Sequence, residues 1–444
     1  MSSSTLDNWL AQRATSCPDR LAVRADGVDL TYAELELEAQ AAARRLAARG
    51  VRRGSTVAIE LSPGLDFAIL LHALMKLGAV AYPLSPRLTE RERARELSRT
   101  EPALVVRSPA DFEGPEADLP LLGEHDMDAL HCRLLTSGTS GTPRAVGLTY
   151  GNFMWSAVGS AFNLGVDPQD RWLCCLPLHH VGGLSILMRS VIYGTGAVIH
   201  DGFDTERVRE SLANDGITLV SLVATQLIRL LEAGVDLSGP RVLLVGGGPV
   251  PLAAIEEASA QGASVVQTYG MTETCSQVTT LAPADARRKA GSAGRPLLTT
   301  HLRIADGEIL VQGPTVAPGT ADEDGWLHTG DLGRIDEEGF LWVEGRLGDV
   351  IVTGGENVIP DEVEEVLREH PAVADAAVVG RPDAEWQEAV TAVVVLRDGA
   401  EADAEGLRAH CAARLAGFKV PKRFEFASEL PRTSSGKLLR RALR

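Results

Sequence analysis

The sequence predicts an α/β fold: a large N-terminal domain of parallel-rich sheets flanked by helices plus a β subdomain, and a small α+β C-terminal domain. Three observations carry this. Short β-branched runs alternate with helical patterns from residue 20 to residue 270, the rhythm of parallel strands covered by helices on both faces. From about residue 300 the rhythm changes to hairpins. After Gly348 a last block of about a hundred residues mixes helices with strands, a size that suits a small lobe.

The first strong helix begins at Thr31, where Thr31-Tyr32-Ala33-Glu34 reads as a capping box, and it stops near Gly50. Further helices are expected over Gly64–Leu77, Thr149–Leu164, Gly183–Tyr193, Thr205–Asn214, Thr225–Ala233 and Leu252–Gln261. Strands are expected over Thr56–Glu60, Ala103–Val106, Arg171–Leu176, Ala197–His200, Thr218–Val223, Arg241–Val245 and Ser264–Thr268. The hairpin region reads His301–Ile304, Gly307–Gln312, Gly333–Asp336 and Phe340–Glu344. Its turns, Ala305-Asp306-Gly307 and Asp336-Glu337-Glu338-Gly339, are rich in residues that tolerate turn geometry. The last block reads helix Asp361–Glu369, strands Val373–Gly380 and Ala389–Leu396, helix Ala404–Leu415 and strand Arg423–Ala427. The domains expected are therefore 1–347 and 350–444, joined at 348–349.

Composition narrows the function. The chain has 444 residues, 45% apolar and 23% charged, which excludes a disordered chain, a coiled coil and a collagen-like repeat. A net charge of −17 repels phosphate, so no nucleic-acid partner and no anionic membrane surface is expected, although local basic groups can still hold an anionic ligand. The most apolar stretch, Phe67 to Leu84, is interrupted by His72 and Lys76 and is too short and polar to insert into a bilayer. Met1 to Leu10 lacks the basic and apolar regions of a secretory signal. Six cysteines without a Cys-x-x-Cys pair read as reduced thiols of a cytoplasmic protein.

Six clusters carry chemistry. The first is Thr136-Ser137-Gly138-Thr139-Ser140-Gly141-Thr142-Pro143-Arg144: five hydroxyls, two glycines and a terminal cation after the mostly apolar strand Cys132–Leu135, with a helix soon after. Glycines let backbone N–H groups converge and hydroxyls add donors, which suits a polyphosphate. The Walker pattern Gly-x4-Gly-Lys-Ser/Thr cannot be laid over it. The second is Thr268-Tyr269-Gly270-Met271-Thr272-Glu273-Thr274, where a carboxylate beside hydroxyls could hold Mg²⁺. The third, Gly246-Gly247-Gly248, puts bare backbone at a strand's C-terminal end, where open α/β sheets bind ligands. The others are Trp326-Leu327-His328-Thr329-Gly330-Asp331, Gly345-Arg346 through Gly354-Gly355-Glu356-Asn357, and Pro431-Arg432-Thr433-Ser434-Ser435-Gly436-Lys437. The last ends in one of only five lysines.

In this order the clusters resemble the adenylate-forming superfamily of acyl-CoA synthetases, adenylation domains and luciferases, over nearly the whole chain. The resemblance implies an active site between a large and a small domain, and two half-reactions: adenylation of a carboxylate by ATP, then transfer to a thiol. It implies ATP, Mg²⁺ and coenzyme A as cofactor and co-substrates. Thr136, Ser137, Gly138, Thr139, Ser140, Gly141, Thr142 and Arg144 would form the phosphate loop. Gly246, Gly247, Gly248 and Tyr269 would flank the adenine, Thr272 would contact the α-phosphate and Glu273 would ligate the metal. Asp331, with Arg346 nearby, would take the ribose hydroxyls. Lys437 would bridge the carboxylate and α-phosphate, and His180 would gate the acyl pocket. A hinge at Gly348-Asp349 would swing the small domain, after which Gly354 and Gly355 would line a CoA tunnel. The loop departs from many relatives in ending Arg144-Ala145 rather than Lys-Gly, in line with 38 arginines against five lysines.

Within the superfamily, Pro177 to Gly194, Ser221 to Leu227 and Tyr269 to Gln277 resemble the o-succinylbenzoate–CoA ligases of menaquinone biosynthesis. That subgroup's acid carries two carboxylates. One is activated, and Arg189, Ser221 and Gly270 are the candidates to meet the rest of the acid, since an unpaired charge in a partly apolar pocket is costly. Three alternatives stay open: another aryl- or acyl-CoA synthetase, an enzyme loading a carrier protein, and a catalytically silent adenylate-binding paralogue. A homodimer is compatible with the sequence.

Overall fold

The computed structural model describes residues 4–136, 144–353, 356–383, 386–433 and 436–444. The chain forms two compact units, Met1–Leu302 with Val311–Leu327, and Arg303–Leu310 with His328–Arg444. The boundary expected at Gly348 falls inside the second unit, between its two sheets.

In the first unit, nine described strands form one sheet in the order Arg295–Pro296, Thr279–Thr280, Val265–Tyr269, Val242–Val245, Leu219–Leu222, Arg171–Cys174, Gly196–Ile199, Leu21–Ala25, Val28–Thr31. The six strands from Val265–Tyr269 to Leu21–Ala25 run parallel, and the outer ones pair antiparallel. Val242-Leu243-Leu244-Val245 shows why: every residue is buried, as a strand covered on both faces requires. Helices Thr205–Asn214, Ala224–Glu232 and Leu252–Ala260 supply Val208, Leu227, Leu230 and Ile255 to the core beneath this sheet.

A second sheet runs Leu104–Val106, Thr56–Ile59, Val80–Pro83, Leu130–Thr136, Arg144–Thr149, the last strand antiparallel to its neighbour. The apolar stretch from Phe67 resolves into a buried helix, Leu65–Leu77, that touches strands of both sheets, followed by the strand Val80–Pro83. Lys76 is tolerated there because its Nζ lies 2.7 Å from a Glu36 carboxylate oxygen. Among the described residues no helix is long and apolar enough to cross a membrane.

Several elements depart from the sequence reading. Helix Tyr150–Leu164 stands where it was expected, but a strand the sequence reading did not place, Arg144–Thr149, returns from the hydroxyl-rich loop before it, hidden by Gly147 and the polar ends of the run. Helix Glu90–Thr100 lacks an apolar stripe and starts on a Thr89/Glu92 capping box; its one buried residue, Glu96, accepts a 2.8 Å hydrogen bond from the Tyr82 hydroxyl. The Thr31/Glu34 capping box forms as expected.

A four-stranded sheet follows in the order His301–Ala305, Glu308–Gln312, Leu327–Ile335, Leu341–Arg346, most of whose residues belong to the second unit. Asp306 and Gly307 take positive φ in the first turn. In the second, Asp336 Oδ1 accepts from the backbone N–H groups of Glu338 and Phe340 at 3.0 and 2.9 Å. After the turn Leu347–Asp349 come strands Ile351–Thr353 and Glu356–Val358, helix Pro360–Arg368, the antiparallel pair Val373–Asp383 and Gln387–Leu396, helix Ala404–Ala412 and strand Arg423–Phe426. Val363, Leu367, Leu407 and Cys411 of the helices bury against Val378, Val390 and Val394.

Candidate functional site

Parallel strands present their C-terminal ends on one edge, and the large sheet uses that edge for the expected residues. Ser221, Gly246 and Tyr269 belong to three neighbouring strand ends, with Ser221 level with Leu244 and Val245 level with Gln267. The Gly246 N–H donates to Leu222 O at 3.2 Å, and a Cβ on Gly246 would stand 2.7 Å from the Thr268 methyl and 2.9 Å from its carbonyl oxygen. Bare backbone is therefore required there. Gly270 is tighter still: a Cβ would lie 1.5 Å from Ser276 O.

That crowding comes from a sharp return of the chain. Thr272–Thr274 is a single 3₁₀ turn, Cys275 and Ser276 take positive φ, and Val278 N–H donates to Tyr269 O at 2.8 Å. The turn leaves the Thr272 hydroxyl and the half-buried Glu273 carboxylate without a hydrogen bond to any described residue. The strand Arg144–Thr149 packs against the same turn. Thr136 Oγ1 donates to Arg144 O at 3.2 Å, so the two ends of the hydroxyl-rich loop are hydrogen-bonded neighbours. The loop's Ser137, Gly138, Thr139, Ser140, Gly141 and Thr142, like Gly354 and Gly355, lie outside the described residues.

Among the described residues no group of three or more His, Cys, Asp or Glu side chains could hold a metal. A lone carboxylate with adjacent hydroxyls nevertheless fits Mg²⁺, which keeps several waters and takes one or two carboxylates plus substrate phosphates rather than a protein cage.

Arg189, on helix Val181–Tyr193, is 3% exposed, and no described carboxylate pairs with it. Its guanidinium stands 5.7 Å from the Trp172 ring centroid, Nη2 donates to Ser156 Oγ at 3.1 Å, and Nε has no hydrogen-bond partner among the described residues. Burial pulls it below the ordinary arginine value. Trp172 Nε1 in turn donates to Ser221 Oγ at 2.9 Å, and Ser156 Oγ donates to Cys275 O at 2.8 Å. Arg189 and Ser221, two of the three residues suggested for the acid, are thus linked through Trp172. Ser156 ties Arg189 to the end of the Thr272–Thr274 turn. The sequence gives no sign of either linker, because both sit inside ordinary helix and strand patterns. His180 caps the same helix through its backbone, its ring 4.4 Å from that of His179, which burial holds near pKa 3.

In the second unit Asp331 and Arg346 face each other across paired strands at 2.7 Å. Gly348 and Asp349 lie in the turn that follows. Lys437 ends a short hairpin, its N–H donating to Thr433 Oγ1 at 3.0 Å and Thr433 N–H donating to Lys437 O at 2.7 Å.

The chain belongs to the AMP-binding enzyme family. The AMP-binding enzyme model matches residues 10–125 and 121–320, and the model of that family's C-terminal domain matches residues 362–437. The 2-succinylbenzoate–CoA ligases of Bacillus cereus and Bacillus mycoides are each 40% identical, over 99% of this chain and 98% of theirs. Among solved structures, the o-succinylbenzoate CoA synthetase MenE from Bacillus subtilis with the acyl-adenylate intermediate OSB-AMP superposes with a TM-score of 0.94, at 39% identity over 99% of this chain and 98% of that one. ATP-bound MatB from Rhodopseudomonas palustris has a TM-score of 0.92 at 28% identity, over 99% of this chain and 98% of that one.

Proposed function

We propose that this chain is an ATP-dependent acid–thiol ligase that converts 2-succinylbenzoate to 2-succinylbenzoyl-CoA. In the first half-reaction a carboxylate oxygen attacks the α-phosphorus of ATP and pyrophosphate leaves. In the second the CoA thiol attacks the acyl carbonyl and AMP leaves. Two anions meet in the first step, so catalysis there rests on neutralising charge, a contribution commonly worth several kcal/mol.

The residues take these parts. The loop from Thr136 to Arg144 grips the phosphates, Gly246–Gly248 and Tyr269 flank the adenine, and Asp331 with Arg346 holds the ribose. Thr272 meets the α-phosphate, and Glu273 is the carboxylate for Mg²⁺, which when bound withdraws charge from the phosphate oxygens. Lys437 meets the attacking carboxylate and the α-phosphate together. Gly348-Asp349 is the pivot between half-reactions, Gly354 and Gly355 line the pantetheine path, and His180 gates the acyl pocket. We place the reaction in the cytoplasm, where thiols stay reduced; all six cysteines are unpaired. The proposal extends to a homodimer, which sedimentation velocity reads directly and a single monomeric species removes.

The observation that carries the choice of acid is Arg189, a buried cation without a described carboxylate partner, linked through Trp172 to Ser221. A buried charge without a partner is costly, and a second carboxylate on the substrate, met directly or across a water, supplies one. The test is a screen of acids with ATP and CoA in which the thioester is identified by mass. Turnover of 2-succinylbenzoate well above benzoate and malonate is expected. Turnover of monocarboxylates alone overturns the assignment of the acid, and no turnover of any acid overturns the ligase.

A further inference from the structure

Lys437 lies on an exposed hairpin, where a long side chain would ordinarily sample many positions, yet the base of that hairpin is held on both sides. Arg432 Nη1 donates to Gly436 O at 2.7 Å, Leu439 N–H donates to Pro431 O at 2.8 Å, and Arg432 and Leu438 form a β-bridge. On one side Arg432 pairs with Asp375, at the start of strand Val373–Asp383. On the other, Arg440, its side chain 12% exposed, sits among carboxylates. Nη2 reaches Glu364 at 2.9 Å and also pairs with Asp361, and Nη1 reaches Asp349 at 3.2 Å.

The two anchors join. Arg368 bridges Glu364 at 3.2 Å and Asp375 at 3.3 Å. The circuit Arg440–Glu364–Arg368–Asp375–Arg432 therefore closes on itself through the chain from Gly436 to Arg440, with Lys437 inside the closed segment. One helix, Pro360–Arg368, carries Asp361, Glu364 and Arg368, so a single rigid element sets both anchors. Burial and the neighbouring Glu364 push the Asp361 carboxyl above the ordinary range while Arg440 pulls it down. Three acids converging on one arginine is more than fold stability needs, since a buried ionic cluster is seldom better than apolar packing of the same volume. It does fix direction, because a guanidinium fork meets carboxylates in set geometry.

We propose that Arg440, with Arg432, is a positioning residue for Lys437: the closed ionic circuit holds the ammonium-bearing hairpin in one pose before substrates arrive. This rests on the adenylation role given to Lys437 above. A group held in place contributes its full charge without ordering cost at the moment of reaction, and misplacement by about 1 Å can cost on the order of 10²-fold.

The experiment is a double-variant cycle on the full chain, read as ATP–pyrophosphate exchange driven by 2-succinylbenzoate. Arg440→Met is expected to lower kcat about 10²-fold, with KM for ATP within about twofold of the parent. Lys437→Ala and the double variant are expected to be equally slow, because Arg440 acts only through Lys437. Losses that multiply in the double variant, or an unchanged kcat in Arg440→Met, overturn the positioning role while leaving Lys437 in place. An unchanged rate in Lys437→Ala overturns both, and so separates failure of the underlying reading from failure of the circuit. Arg432→Gln, on the exposed side of the same circuit, carries the same cycle should Arg440→Met fail to fold.

Discussion

Asp331 and Arg346 stand opposite each other on antiparallel strands, Oδ1 to Nε at 2.7 Å, with the carboxylate nearly buried and the guanidinium partly open. The pair fixes the Asp331 rotamer before any ligand arrives. Asp331→Ala is expected to raise KM for ATP about tenfold or more, since hydrogen bonds to a charged group contribute about 1.5–3 kcal/mol. Arg346→Ala is expected to do less. Initial-rate kinetics at saturating acid and CoA measure both, and an unmoved KM in Asp331→Ala removes the ribose assignment.

Lys437→Ala separates the half-reactions. Adenylation is expected to fall roughly 10²–10³-fold, as for loss of one preorganised donor, while thioester formation from synthetic acyl-adenylate stays near the parent rate. Equal losses in both steps would contradict the role.

Arg189→Met is expected to raise KM for 2-succinylbenzoate at least tenfold and to leave any residual turnover of benzoate unchanged, because only the second carboxylate loses its partner. Comparing the two acids on one variant controls for simple damage to the fold.

Two glycines are expected to respond in opposite ways. Gly270→Ala drives a methyl to 1.5 Å from the Ser276 carbonyl oxygen, so backbone must move and a loss of several kcal/mol is expected in the unfolding midpoint. Gly348→Ala meets no atom within 4 Å and sits at an ordinary φ, so stability is expected to hold within about 0.5 kcal/mol. Gly348→Pro is expected to slow thioester formation far more than adenylation, because the pivot then has one backbone state.

A buried histidine cluster sets the acid limit. Burial depresses His72 and His131 to about 3 and His125 to about 4. His125 Nε2 accepts from the Trp9 backbone N–H at 3.3 Å, and its ring stacks 4.4 Å from that of Tyr150. These groups are neutral in the fold and ordinary once unfolded, so their contribution is complete above about pH 6.5 and shrinks as pH falls. From the plateau at high pH down to pH 5 each of the two deepest, His72 and His131, withdraws about 2 kcal/mol. Denaturation midpoints across that range measure the slope, and His131→Phe is expected to flatten it.

What the sequence disclosed follows from the range of the interactions. The capping box at Thr31 and the Asp336 turn are satisfied within a few residues, and both form as read. The strand-end glycines are visible as a local run, although what requires a glycine at 246 is the approach of Thr268 from the neighbouring strand. Strand Arg144–Thr149 escaped because its identity comes from pairing with Leu130–Thr136, which no window across a hydroxyl-rich loop reveals. Trp172 and Ser156 escaped for the same reason. Their bonds to Ser221 and Arg189 span 49 and 33 residues and exist only once helix packs on sheet. The Arg440 circuit is more distant still, reaching Asp349 across 91 residues.

The return strand beginning at Arg144 has an evolutionary corollary. Because Thr136 and Arg144 are bonded neighbours on a stable ribbon, the cost of joining the ends is met by the ribbon rather than by the seven residues between them. Exchanging those seven wholesale should weaken the hold on the ATP phosphates, read as a raised KM for ATP, while the melting temperature hardly moves. Stability then places little constraint on those seven positions, and what constrains them is the phosphate grip proposed for them.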